Sequence, residues 1–296
     1  MIRIATRGSA LAEAQAGQVA ASLGGGKLVV VGSDGEVGDK ARFVRGVERA
    51  LLDGEADIGV HSAKDLPGEM AAGLAIAAVP VREDPADAWI GVGDALDDVP
   101  EGARVGTASL RRRAQLLAAR PDLVVGELHG NVDTRLRKLA DGELEAIVLA
   151  AAGLRRLGRA DEISFSIPAE AMTPAAGQGA LVLQAREDDA ASLEAAGAVG
   201  EETALRELTA ERAAVALLEA TCATPIGVHA RVDGENAAGD ASLIIEAFVG
   251  LPDGSEWIRD RVEGAATEPA AAGTLLAERL LAAGAREILD RAEAMA

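Results

Sequence analysis

Through its first half the chain repeats one phrase: a short apolar run, a polar or glycine-rich corner, then the start of an amphipathic stretch. Residues 2–5 read as a strand, and Thr6-Arg7-Gly8-Ser9 follows, with Ser9 placed to cap a helix over 10–23. A second strand is predicted over 28–31, then a glycine-rich loop over 32–40 of the kind expected to move, then a helix over 43–53 closed by Gly54. Residues 57–60 form a third predicted strand that ends in His61-Ser62-Ala63-Lys64-Asp65-Leu66-Pro67, and 74–79 a fourth. After the charged link Arg82-Glu83-Asp84-Pro85 the phrase starts again with an apolar run at 89–92. Arg104-Val105 runs into Gly106-Thr107-Ala108-Ser109, where Thr107 or Ser109 would cap a helix. Residues 123–125 and 146–149 are further strands, each followed by a helix start. Strands alternating with helices predict α/β architecture with parallel sheets.

The pattern changes later. Residues 181–184 read as one more strand, and 201–219 as a helix with Leu205, Leu208, Val215 and Leu218 on one face. Runs at 228–232, 243–249 and 257–262 read as strands, the last two joined as a hairpin by Pro252-Asp253-Gly254-Ser255. Two helices rich in Ala and Leu finish the chain. The predicted organisation is a discontinuous first lobe (1–83 and 180–200), a second lobe (84–179) and a small α+β domain (201–296).

Composition narrows the function classes. With 296 residues and 49% of them hydrophobic, several packed cores are expected, built from Ala, Leu, Val and Ile because Tyr is absent and Phe and Trp are scarce. A net charge of −19 argues against nucleic-acid or anionic-membrane partners. One cysteine and three scattered histidines give neither a disulfide framework nor a metal-ligand motif. No apolar run reaches the ~18 residues of a membrane span, and the N-terminal residues read as a strand rather than a signal peptide. A cytoplasmic enzyme or binding protein is the expectation.

The candidate chemistry sits at the corners. Arg7, Lys64, Arg111, Arg112, Arg135 and Arg156 all fall just beyond the carboxyl end of a predicted strand. Ligands of open α/β sheets bind at that edge, and helix N-termini there add positive potential. The guanidinium fork suits carboxylates. The predicted site is cationic and takes a ligand with several carboxylates or phosphates. The absence of a phosphate-loop motif disfavours a nucleotide. Asp65 is the lone carboxylate among these cations. It reads either as a turn residue that caps backbone N–H groups or as a charge that stabilises a cationic intermediate. Cys222 lies in Ala220-Thr221-Cys222-Ala223-Thr224-Pro225, a run of small residues between a helix and a strand. Taken alone, it reads as a small buried hydrophobe on a loop.

Nine ordered phrases carry a family resemblance: RIATRGSALAEAQA (3–16), ADIGVHSAKDLP (56–67), REDPADAW (82–89), VGTASLRRRAQL (105–116), GNVDTRL (130–136), AAGLRRLG (151–158), PAAGQGAL (174–181), ETALRELTAER (202–212) and ATCATPIGVHA (220–230). Together they resemble the porphobilinogen deaminase (hydroxymethylbilane synthase) family. The resemblance implies two interlocked α/β lobes with parallel or mixed sheets, like those of two-lobed (periplasmic-binding-protein type II) folds, plus a small C-terminal α+β domain. It implies a dipyrromethane cofactor joined to Cys222 through a thioether. Four porphobilinogen units would be added in turn with loss of ammonia, and water would release the linear tetrapyrrole. Asp65 would stabilise pyrrole nitrogens and azafulvene-like cations. Arg7, Lys64, Ser109, Arg111, Arg112, Arg135 and Arg156, with Gln15, Ser62 and Thr107, would hold acetate and propionate groups. A monomer without a metal is expected. The chain departs from the family pattern in having His129 and Ala86 where arginine is usual, Asp133 where a small residue is common, and a short loop at 32–40. A two-lobed protein that binds a polycarboxylate without turnover is the other function class open at this point.

Overall fold

The computed structural model describes residues 1–32, 42–68, 70–221, 224–235 and 241–295. The chain divides into two compact units, Met1–Glu83 with Gly179–Leu208, and Asp84–Gln178 with Thr209–Ala296.

The first unit opens with β1 (Arg3–Arg7), α1 (Ala10–Ser22), β2 (Lys27–Val31), α2 (Arg42–Leu52), β3 (Ile58–Ser62) and β4 (Leu74–Ala78). Ser9 caps α1 as expected, its hydroxyl accepting from the Ala12 N–H at 3.2 Å. The helix buries Ala12, Gln15, Ala16 and Val19, a three-and-four spacing that lays one narrow face on the sheet. In the second unit the chain forms β5 (Asp87–Gly91), β6 (Arg104–Gly106), α3 (Leu110–Ala119), β7 (Val124–Gly126), α4 (Val132–Ala140), β8 (Ala146–Ala150), α5 (Ala151–Arg156) and β9 (Phe165–Ile167). It then returns to the first unit with β10 (Leu181–Arg186) and α6 (Ala190–Gly197). The division between units falls inside α7 (Glu202–Leu217). The last elements are β11 (Ile226–Glu235), β12 (Ala241–Gly250), β13 (Trp257–Ala265), α8 (Pro269–Ala282) and α9 (Ala285–Met295).

Two five-stranded sheets result, ordered β2-β1-β3-β10-β4 and β7-β6-β8-β5-β9, with a three-stranded antiparallel sheet β11-β12-β13. The α/β class and the terminal hairpin are as predicted. Both five-stranded sheets are mixed, within the parallel or mixed sheets expected: β10 runs antiparallel to both its neighbours, and so does β5. Each reversed strand is reached through a helix-free segment, 79–86 or 168–180. A parallel neighbour would have required a crossover connection.

Each sheet has its own apolar core. Ile4, Val19, Ile58 and Leu183 pack in the first unit. Trp89, Val105, Leu116 and Val148 pack in the second, with Trp89 stacked on Phe165 of β9. Leu218, Ile245, Val249, Leu276 and Ile288 fill the space under the terminal sheet. Burial of each such side chain contributes about 1.5–3 kcal/mol. On α7, Leu208 is buried but Leu205 is 41% exposed; Ala210 and Ala214 complete the inner face instead, and Leu218 just past its end is buried too. No helix among the described residues is long and apolar enough to cross a membrane.

Candidate functional site

Strand direction decides which side chains meet. In the first sheet β1 and β3 are parallel, so Arg7, the last residue of β1, and Ser62, the last of β3, lie at the same edge. A short 3₁₀ turn, Ala63–Asp65, follows β3 at once and carries Lys64 and Asp65. Arg7 Nη2 is 3.4 Å from Asp65 Oδ2, with 30% and 41% of the two side chains exposed. Arg7 is the partner of Asp65 among the described residues, and the contact is too long and too exposed to hold the carboxylate tightly. Ser62 and Lys64 are half-buried, and Gln15 is buried on the inner face of α1. Beneath them His61 is buried with Nε2 2.9 Å from Gln184 Oε1. Burial lowers His61 to about 4, against the opposing hydrogen bond from Gln184.

In the second sheet the reversal of β5 has a direct chemical effect. It brings the start of that strand, Asp87, opposite Ala150 at the carboxyl end of β8. The helix after β6 starts at the same edge, and its first turn supplies Arg111 and Arg112. Asp87 is fully buried and accepts from Arg111 Nη1 at 2.7 Å, Arg111 Nη2 at 3.1 Å, Arg112 Nε at 2.8 Å and Gln178 Nε2 at 2.9 Å. Burial alone would push its pKa up. The two guanidiniums and the hydrogen bonds from Arg111 and Gln178 prevail and hold it well below the usual carboxylate range. Arg111 also donates to the Thr173 carbonyl at 2.8 Å, and Arg112 to that of Val148 at 3.0 Å.

The charges here do not cancel. Arg135, on α4, donates Nε to the Gly130 carbonyl at 2.9 Å, and burial lowers its pKa. Burial also lowers Arg112, against the pull of Asp87 and with repulsion from Arg111 and Arg135. Two buried guanidiniums therefore share the one carboxylate of Asp87, with Arg135 close enough to repel Arg112. Arg111 Nε is buried without a hydrogen-bond partner. A site with surplus buried cations and an unused donor fits an incoming group that brings carboxylates.

The other predicted residues fall as follows. Ser109 caps α3 by accepting from the Arg112 N–H at 3.4 Å, and Thr107 accepts from the Ser109 N–H at 3.2 Å. Arg156 is half-buried at the end of α5. His129 is exposed and pairs with Glu127 at 2.9 Å, and Asp133 pairs with Arg159. Ala86 is buried, its N–H donated to Asp84 at 2.8 Å. Cys222 lies outside the described residues, as do positions 33–40 of the short loop. Thr221 and Thr224, on either side of the cysteine, are joined by an N–H to Oγ1 bond of 2.8 Å. Beyond Pro225, Gly227 of β11 lies so close to Thr173 that a Cβ there would be 2.4 Å from its carbonyl oxygen. That carbonyl is the one bound by Arg111 and by Gln115 Nε2 at 2.9 Å. The strand leaving the cysteine loop is thus packed on the segment that anchors the arginine pair.

Sequence reading missed Asp87, Gln178 and Gln184 as site residues. Asp87 opens an apolar run and Gln184 lies within one, where a polar residue is costly to bury without partners. That cost is the signal that could have found them.

Family models match the chain in two consecutive segments: "Porphobilinogen deaminase, dipyromethane cofactor binding domain" over residues 2–194 and "Porphobilinogen deaminase, C-terminal domain" over 205–282. A porphobilinogen deaminase of Syntrophus aciditrophicus (strain SB) is 42% identical over 308 residues, covering 99% of both chains. One of Geobacter metallireducens is 44% identical over 254 residues, covering 86% of this chain and 78% of its own. One of Campylobacter concisus is 42% identical over 313 residues, covering 100% of this chain and 99% of its own. The buried arginines, the exposed Asp65 and the cysteine loop all fall within these matched lengths, and the chain belongs to the porphobilinogen deaminase family.

Proposed function

We propose that the chain is a hydroxymethylbilane synthase, a transferase of tetrapyrrole biosynthesis that condenses four porphobilinogen molecules head to tail and releases the linear product with water. The observation that carries this reading is the surplus of guanidinium at buried Arg111 and Arg112 and half-buried Arg135, with Arg111 Nε left as an unused donor. Pyrroles bearing acetate and propionate groups supply the missing carboxylates. Arg111, Arg112, Arg135 and Arg156, with Thr107 and Ser109, hold those groups in the second unit. Arg7, Gln15, Ser62 and Lys64 do so in the first. Cys222 is the thioether anchor. The dipyrromethane, when attached, supplies the pyrrole carbon that accepts the first unit and stays on the protein when the product leaves.

Two aspartates stand beside arginines, and their different burial supports different roles. Asp87 is enclosed and its oxygens are committed to Arg111, Arg112 and Gln178. Asp65 is 41% exposed and has one long contact, to Arg7. Loss of ammonia from porphobilinogen leaves a positive charge shared with the pyrrole nitrogen. Asp65 stabilises that charge, and a preorganised carboxylate is worth most where such charge develops. The protein acts as a cytoplasmic monomer of three domains, with porphobilinogen and water as its small-molecule partners and no nucleic acid, membrane or metal.

Intact mass of the purified protein, with colour formed in Ehrlich's reagent, tests the assignment. Added mass equal to a dipyrromethane is expected, and Cys222→Ala should lack it. Asp65→Ala should keep the fold and the added mass but lose about 100-fold or more in turnover. Unmodified wild type from a host that makes porphobilinogen, or an active Asp65→Ala, would overturn the reading.

A further inference from the structure

Under α2 the first sheet carries a polar chain that the chemistry above does not use. Gly59 and His61, two residues apart on β3, share one face. Gln184 of β10 is the register partner of Gly59 and lies on that face too. Glu48 comes from α2. His61 Nε2 is 2.9 Å from Gln184 Oε1, and Gln184 Nε2 donates to Glu48 Oε1 at 3.1 Å. All three side chains are buried. Gly59 keeps the space open: a Cβ there would be 2.7 Å from Val47 Cγ1 and 3.4 Å from His61 Nε2.

The chain has a direction. A carboxylate accepts, so Gln184 turns its NH₂ to Glu48 and its oxygen to His61. An amide oxygen also accepts, so His61 carries its proton on Nε2 and keeps a lone pair on Nδ1. Burial keeps the ring neutral, and Gln184, a neutral acceptor, favours the imidazolium far less than a carboxylate in its place would. The charged groups that act on His61 are Arg7 of β1 and Asp65 of the turn after β3, with Glu48 reaching it through Gln184.

We propose that Glu48 and Gln184 fix the buried, neutral His61 as the Nε2–H tautomer, making it a positioning residue that leaves the charge of Asp65 to Arg7 and the substrate. An imidazolium at this position would compete with Arg7 for Asp65 and cancel the charge that the reacting pyrrole needs. The proposal rests on Asp65 being the acting carboxylate.

The test uses holoprotein labelled with ¹⁵N-histidine. The chain has three histidines, so single substitutions at His129 and His229 assign the spectrum. Wild-type His61 should show the Nε2–H pattern throughout the neutral range. A protonated ring or the Nδ1–H tautomer would overturn the lock, whatever the activity. Gln184→Glu should convert His61 to imidazolium and lower kcat about tenfold at neutral pH, equivalent to about 1.4 kcal/mol of lost transition-state stabilisation. KM should stay within about twofold of wild type, and kcat should recover as rising pH removes the proton. Unchanged kcat in a variant whose spectrum shows the imidazolium would sink the proposal. Should Gln184→Glu fail to fold, Gln184→Leu serves: the two neutral tautomers should then mix, and an unaltered pattern would be fatal to the lock. Failure of the Asp65 reading is separate, because it would appear as normal turnover in Asp65→Ala with the wild-type spectrum intact.

Discussion

Removing the Asp87 carboxylate would strand two guanidiniums that are almost fully buried. Asp87→Ala is therefore expected to cost about 3–5 kcal/mol in urea unfolding, the usual penalty for breaking a buried pair from one side. A cost below 1 kcal/mol would show that the arginines relax into water. His61 gives a separate signature. Its folded value is about 4 against 6.5 for the free side chain, so between those limits the unfolded chain binds the extra proton. Stability is full above pH 6.5 and falls as pH drops towards 4, by on the order of 3 kcal/mol in total. Urea midpoints at pH 7 and 5 should differ, and His61→Gln should flatten the dependence. At this scale the cations were legible in the sequence, because arginine at a strand's carboxyl end is visible as pattern. Their partner Asp87 was not read out, because its one mark within REDPADAW is that it opens the apolar run, where a buried carboxylate needs partners.

Among elements, the junction of β11 with residues 173–178 is the tightest constraint near the site. Gly227→Ala would drive a methyl group into the Thr173 carbonyl, which already accepts from Arg111 and Gln115. Backbone on the opposing side cannot yield as a flexible side chain would. A loss of about 1–3 kcal/mol is expected, or roughly 2–10 °C in a thermal melt. Ser109→Ala removes only a helix cap and should cost about 1 kcal/mol. Equal losses from the two would mean that the junction has slack. Several elements were readable to within a few residues, among them α1, marked by its Ser9 cap, and α7. Two elements were not. β9 is three residues long, and α6, AASLEAAG, offers almost no polar contrast between its faces. Leu205 misled for the opposite reason: it keeps helical spacing with Leu208, yet small alanines do the packing.

For the whole molecule, charge is the dominant bulk property. A net charge of −19 makes the folded state repel itself, so moderate salt should stabilise it. Raising monovalent salt from low levels to about 0.15 M shortens the screening length to about 8 Å and should raise the melting temperature. A falling melting temperature would mean that attractive surface pairs outweigh the general repulsion. The α/β class could be read from the alternation of elements, but the direction of β5 and β10 could not. An apolar run looks the same whichever way the strand runs, and only the connection that leads into it decides.

That reversal also bears on how the protein is made. Between β3 and β4 lies β10, and the Gln184 that binds His61 follows it by 123 residues. A nascent chain that has released the first 83 residues thus carries two strand edges with no neighbour until β10 emerges. The first unit is begun first and completed late, so its final closure waits on synthesis of the second. Ribosome-bound chains arrested before residue 178 should remain open to protease at β4, and chains that have released β10 should not.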